Sequence, residues 1–147
     1  MRAMAIGELS KRTAVKIPTI RYYEEIGLLA RPARTHANRR AYGGSDVRRL
    51  RFIRHARALG FEIEAIRQLL ALACDRSRSC AEVDAIARTH LTDIDARIAR
   101  LAALRTEVAR MVDQCARGSI GECRVIEVLG DHSLCAADHP PPAAGLA

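Results

Sequence analysis

The sequence predicts a mainly α-helical protein in which a basic module of short helices precedes one long, self-associating helix. Three observations carry that reading. From Ser79 to Cys115 no Pro or Gly interrupts the chain, and positions 87, 91, 94, 98, 101, 105, 108, 112 and 115 follow one another in alternating steps of four and three. They are Ala, Leu, Ile, Ile, Leu, Arg, Val, Val and Cys, an apolar heptad seam broken only by Arg105, and a seam that long needs another helix to cover it. Aromatic residues make up 3% of the 147 positions and Trp is absent, which favours helices packed through aliphatic side chains over an aromatic-rich sandwich. Finally, residues 1–78 hold 17 Lys and Arg against 7 Asp and Glu, whereas residues 79–147 hold 7 against 10. A basic first half joined to a mildly acidic second half suggests a polyanion-binding module attached to something else.

No apolar run approaches the length of a membrane span, and the first residues lack the apolar core of a signal peptide. The expected location is the cytoplasm, with no membrane partner. Thiols stay reduced there, so five cysteines read first as ligands, reactive thiols or core residues rather than disulfides.

Taken in order, Ile6, Leu9 and Ala14 space a short first helix, and Val15-Lys16-Ile17 connects it to a second from Pro18 to Ile26. Pro18 fits the first turn, where its missing N–H is not needed, and Gly27 fits the stop. Two short helices across a tight turn make a helix-turn-helix candidate, although no glycine marks the turn. The second helix carries Thr19, Arg21, Tyr22 and Tyr23. Residues 28–42 read as a loop with an extended piece at each end, crowded with Arg31, Arg34, Arg39, Arg40 and Tyr42, which suits phosphate contacts beside a groove. Ser45 can cap a third helix running to about Leu59, with Val47, Leu50, Phe52, Ile53 and Ala56 as its buried face and arginines on the remainder. Phe61 to Cys74 forms a fourth, amphipathic helix, and Cys74 is expected to be buried. Ser79 and Glu82 then make an S-x-x-E capping box, with Cys80 as the first residue of the long helix.

Cys80 and Cys115 would lie about 50 Å apart at the 1.5 Å rise of one helix, so they cannot meet within a chain. In an antiparallel pair of such helices they can. Cys115 and Cys123 flank a loop whose Gly118 and Gly121 let it fold back. Two thiolates suit a monovalent soft ion in linear geometry, and a third gives the trigonal or tetrahedral site that soft and borderline divalent ions prefer. Cys80, at a helix N-terminus, stands where the helix dipole favours an anionic ligand. Residues 124–129 could form a short helix over the loop, and His132, Cys135 and His139 in the tail are a further ligand set. No Gly-rich phosphate loop, G-x-S-x-G or H-E-x-x-H occurs, so the chain does not read as an enzyme. A thiol enzyme or a structural zinc protein is the competing class.

Ile6-Gly7-Glu8-Leu9, Thr19-Ile20-Arg21-Tyr22-Tyr23-Glu24 followed by Gly27-Leu28-Leu29, Arg40-Ala41-Tyr42, and Leu50-Arg51-Phe52-Ile53-Arg54-His55-Ala56-Arg57 with Leu59-Gly60-Phe61 together resemble the MerR family of transcriptional regulators. The resemblance runs through Leu129, and Cys80, Cys115 and Cys123 match the ligand positions of its metal-sensing branch. It implies a winged helix-turn-helix over 1–44, a helical connector over 45–78, an antiparallel dimerisation helix over 79–115, a metal-binding loop and short helix over 116–129, and a flexible tail over 130–147. It implies a homodimer on palindromic promoter DNA that, with metal bound, bends and untwists an over-long spacer so that RNA polymerase engages both elements. Carried across by position, Lys16, Thr19, Arg21, Tyr22 and Tyr23 would contact DNA from the recognition helix. Arg34, Arg39, Arg40 and Tyr42 would do so from the wing, and Arg54 and Arg57 from the helix that follows.

Sensors of copper, silver and gold in this family carry Ser where Cys80 stands, which points here to a divalent ion. Ala116 follows Cys115 and the loop has no His, unlike the family's zinc sensors. Mercury sensors tend to have a loop one residue longer, and the eight-residue spacing looks more like copper sensors. Cadmium or lead is the leading expectation, then zinc, with mercury also in the set. A monovalent sensor using Cys115 and Cys123 alone is the alternative.

Overall fold

A computed structural model describes residues 4–32, 41–115, 117–137 and 139. It divides into two compact units, residues 1–87 and 88–147, with the boundary falling inside the long helix.

In the first unit, α1 (Ile6–Thr13) and α2 (Ile17–Glu25) form the helix-turn-helix pair. The turn that lacks a glycine is made by Ala14, which takes the left-handed conformation at φ 54°. Buried Val15 follows it, and buried Thr13 donates its hydroxyl back to the Leu9 carbonyl at 2.8 Å. The left-handed position is tolerable for Ala because the core anchors both sides of it. Gly27, at φ 70°, ends α2, and the Leu28 and Leu29 amides both return to the Tyr23 carbonyl at 2.9 Å. Those bonds turn Leu28 and Leu29 inward, where both are fully buried.

Met4 and Tyr42 exchange two backbone hydrogen bonds of 2.9 and 3.0 Å in an antiparallel bridge, so the chain on both sides of the basic loop is tied down. The third helix, α3 (Gly44–Ala58), is started by the Asp46 carboxylate, which accepts from the Gly43 amide at 2.7 Å, rather than by a Ser45 cap. Val47, Leu50, Ile53 and Ala56 are buried as expected, but Phe52 is exposed. At 100° per residue the buried four lie on one arc, and Phe52 falls about 130° from its centre. The fourth helix, α4 (Ile63–Ala73), adds Ile66 and Leu70 to the same core. Cys74 is exposed, against expectation, because it lies past the helix end, where its thiol donates to the Leu70 carbonyl at 3.3 Å.

The long helix, α5, runs unbroken from Ala81 to Asp113. It starts one residue later than the capping-box reading. Ser79 Oγ accepts from the Ala81 amide at 3.2 Å, but Glu82 pairs with Arg78 instead of closing the box. Cys80 is thus the residue before the helix, with its carbonyl accepting the Asp84 amide at 2.9 Å. In the second unit, a 3-10 turn at Ile120–Glu122 leads to α6 (Arg124–Gly130), and another 3-10 turn follows at His132–Leu134. The chain from 130 was expected to be loose; its described part is hydrogen-bonded to α5, while residues 140–147 lie outside the described set. No helix is long and apolar enough to cross a membrane among the described residues.

The heptad seam is bare. Leu91, Ile98, Leu101, Val108 and Val112 are each between 56% and 60% exposed, a run of large apolar side chains along one stripe of α5.

Candidate metal centre and nucleic-acid interface

On the first unit, Lys16 precedes α2 and is exposed, as are Arg21 and Tyr22, with Thr19 half-buried on the same helix. Tyr23 is different: it is buried in the core, its ring 5.9 Å from that of Tyr22. Tyr42 is 1% exposed, and its hydroxyl donates to Glu24 Oε1 at 2.6 Å. Both side chains are buried in the first unit, against the exposed placement expected of them, and the Tyr42–Glu24 bond ties the chain after the basic loop to α2. Arg34, Arg39 and Arg40 lie outside the described residues.

Much of the arginine excess in this unit is structural. Arg49 donates to the Leu28 carbonyl at 2.7 Å and Arg67 to that of Ile26 at 2.8 Å, stitching α3 and α4 to the end of α2. Arg57 donates to the Phe61 carbonyl at 2.8 Å and lies near Glu62. Arg54 and Arg51 reach the Thr13 and Arg12 carbonyls at 3.4 and 3.3 Å, at the negative end of the α1 dipole. Both arginines remain exposed and, with Arg12 and His55, line an open cleft there.

In the second unit, Cys115 lies two residues past α5 and Cys123 immediately precedes α6; both are half-buried. The outer neighbours of these two cysteines hold them together. Gln114 Oε1 accepts from Arg124 Nε at 3.2 Å and from Arg110 Nη1 at 2.9 Å. Gln114 immediately precedes Cys115 and Arg124 immediately follows Cys123, so this bond closes the loop at its neck. Among the described loop residues the left-handed one is Arg117, at φ 52°, and neither glycine takes a positive φ. A Cβ on Gly118 would stand 2.8 Å from Glu122 Oε2, the end of an exposed side chain that can turn aside. Gln114 and Arg124 escaped sequence reasoning, and their adjacency to the two cysteines was the only available signal.

The Ile126 and Val125 amides, at the N-terminus of α6, hold the Cys123 thiol below its ordinary pKa of 9.0. Burial opposes them, and the Cys115 side chain, within hydrogen-bond reach, adds to the lowering. Cys135 is shifted the other way, first by burial and then by the nearby Glu107 carboxylate. A lowered pKa leaves more thiolate at neutral pH, and a raised one leaves less. Iodoacetamide labelling read by mass spectrometry should therefore give Cys123 a rate midpoint below pH 9.0 and Cys135 one above it.

The donor set fits a soft ion: two converging sulfurs, one of them activated, on a neck closed by side-chain hydrogen bonds. Replacing Arg124 by Ala leaves both sulfurs in the chain but opens the neck. Metal affinity should fall about 10-fold, the lower end of what outer partners contribute, as measured by competition with a chromophoric chelator. Cys80 is exposed and belongs to the first unit. The tail set of His132, Cys135 and His139 comes together, each offering a ligand atom within 4.8 Å of the others.

The sequence profile of MerR HTH family regulatory proteins matches residues 4–73, and that described as MerR, DNA binding matches residues 47–111. The HTH-type transcriptional regulator HmrR of Rhizobium leguminosarum bv. viciae is 44% identical over 128 residues, spanning 87% of this chain and 98% of that protein. ZntR of Escherichia coli K12, also an HTH-type transcriptional regulator, is 41% identical over 128 residues, covering 84% of this chain and 90% of its own. Among solved structures, the transcription regulator PbrR691 of Ralstonia metallidurans CH34 in complex with lead(II) superposes with a TM-score of 0.76 at 36% identity, covering 86% of this chain and 98% of that one.

Proposed function

The chain belongs to the MerR family of helix-turn-helix regulatory proteins, and from that premise we propose that it is a homodimeric, metal-activated regulator of metal-resistance or efflux genes. Its inducer is a soft or borderline divalent ion, cadmium or lead first, then zinc, with mercury in the same class. The observation that carries this reading is the convergence of Cys115 and Cys123 at a loop neck closed by Gln114 and Arg124. Cys80 of the partner protomer is the third ligand, because a helix of 33 residues is about 50 Å long and separates it from the other two in its own chain. The exposed stripe from Leu91 to Val112 is the surface that pairs with a second copy. The lead-bound structure of PbrR691 and the 40% identity to the Heavy metal-dependent transcription regulator 2 of Rhizobium meliloti favour a metal effector.

On this reading the bound ion supplies only charge neutralisation and a fixed geometry for the thiolates. The chain does the rest. Cys123 offers an activated sulfur, and Gln114 and Arg124 keep Cys115 beside it. Cys80 lies directly before α5 and a few residues after α4, so holding its sulfur restrains the link between α4 and the long helix. Arg21 and Tyr22 meet promoter DNA from α2, Arg51 and Arg54 meet its phosphates, and the shift of the two basic units bends and untwists the spacer for RNA polymerase.

One observation favours a second reading: the Cys115 and Cys123 sulfurs converge within a single chain, as a linear two-thiolate site for copper(I), silver or gold would need. A promoter reporter exposed to each ion in turn separates them. Cadmium, lead or zinc should induce at concentrations where copper and silver do not. Induction by the monovalent ions alone would establish the second reading.

A further inference from the structure

We propose that His132, Cys135 and His139 form a second metal site, contained within one chain and distinct from the three-cysteine site, that takes a borderline divalent cation of the zinc class. It rests on a separate set of atoms and stands or falls independently of the three-cysteine reading.

The geometry is close to that of a bound ion. Zinc–sulfur and zinc–nitrogen bonds of about 2.3 and 2.0–2.1 Å give a tetrahedral S–N edge of roughly 3.6 Å. Cys135 Sγ and His139 Nε2 are 3.4 Å apart, and the His132 and His139 rings lie 4.8 Å apart between centroids at 56° to each other. All three ligand atoms fall within 4.8 Å of one another, so a movement of about 1 Å closes the widest pair onto one ion. Two imidazoles and one thiolate are a donor set suited to zinc-class ions, softer than an all-oxygen site and harder than an all-thiolate one.

The site is also built from outside. Arg110 Nη2 donates to the Leu134 carbonyl at 3.0 Å, and the Ala136 amide donates to Glu107 at 3.2 Å, so both neighbours of Cys135 are fixed to α5. Glu107 is itself buried and paired with Arg110. Its carboxylate lies within hydrogen-bond reach of the Cys135 thiol, as an outer partner that orients the ligand, and a water would complete the ion's shell. Arg110 also donates to Gln114 at the neck of the Cys115–Cys123 loop, but no contact there accounts for the buried Glu107 carboxylate that holds the Ala136 amide on this turn. Binding releases the Cys135 thiol proton to solvent, while both imidazoles donate as neutral rings. The ion would fasten the segment after α6 onto α5.

Cobalt(II) is the probe. In the full-length chain with Cys74, Cys80, Cys115 and Cys123 each replaced by Ser, Cys135 is the only thiol left. Anaerobic titration with cobalt(II) should give one equivalent per chain, with visible bands of a tetrahedral ion and a near-ultraviolet thiolate charge-transfer band. Zinc(II) should displace it, and adding His139→Ala should abolish both features. Absence of tetrahedral bands in the folded variant, or bands that persist in His139→Ala, overturns the proposal. If the four-serine variant loses its helical circular dichroism, the wild-type chain is compared with His132→Ala/His139→Ala. Loss of one bound zinc per chain supports the site, and an unchanged stoichiometry refutes it whatever the three-cysteine site does.

Discussion

Replacing Cys80 by Ser should abolish induction by cadmium, lead and zinc while leaving promoter binding by the metal-free protein unchanged. The substitution removes a direct ligand, so the loss of metal affinity should exceed the 10–100-fold typical of outer partners, enough to reduce a reporter to its basal level. A folding defect is not an alternative explanation. Cys80 is exposed and stands immediately before α5, where its carbonyl already accepts the Asp84 amide. Ser is among the preferred residues at such a position, so the helix start should be as stable or slightly more so. The Cys115→Ser/Cys123→Ser double variant should lose the response as well. Normal divalent induction in either variant would show that the ligands lie elsewhere.

Putting Asp at both Leu101 and Val108 should separate the dimer. These side chains are 59% and 57% exposed in the single chain, so the change costs the monomer little. Covering the exposed share of each contributes about 0.9–1.7 kcal/mol, and two positions on two protomers give roughly 3.5–7 kcal/mol. At about 1.4 kcal/mol per decade, that is a loss of more than two decades in association, before the repulsion of the added carboxylates. Sedimentation should move from two chains to one with helical content retained, and operator binding should disappear with the paired half-site contact. A stable dimer of the variant would remove the seam from the account.

The helices were legible because their apolar periods were long and their stops were marked by Gly27 and Gly60. The heptad stripe was legible for the same reason, and its exposure in the chain makes it a surface in need of a partner. What escaped was tertiary. Tyr42 has the composition of a DNA contact, yet its hydroxyl is taken by Glu24, eighteen residues earlier, and no local pattern reveals that pairing. The arginines of α3 read as the polar remainder of that helix, but Arg49 and Arg54, like Arg67 of α4, reach backbone carbonyls at helix ends elsewhere in the fold. In the loop, glycine was the obvious candidate for the left-handed turn, whereas Arg117 takes it. The tail looked loose because of its composition; what orders its described part is Glu107, a carboxylate nearly thirty residues upstream on α5.

The central claim is that each three-cysteine site draws Cys80 from one protomer and Cys115 and Cys123 from the other. It is tested most directly by a mixed dimer in which one chain carries Cys80→Ser and the other carries Cys115→Ser and Cys123→Ser, purified with two affinity tags. Across protomers, this pairing retains one complete site and destroys the other. Within a chain, it retains none. Titration with cadmium, read by the thiolate-to-metal charge-transfer band, should give one three-thiolate ion per mixed dimer. A mixed dimer with no three-thiolate band would contradict the account.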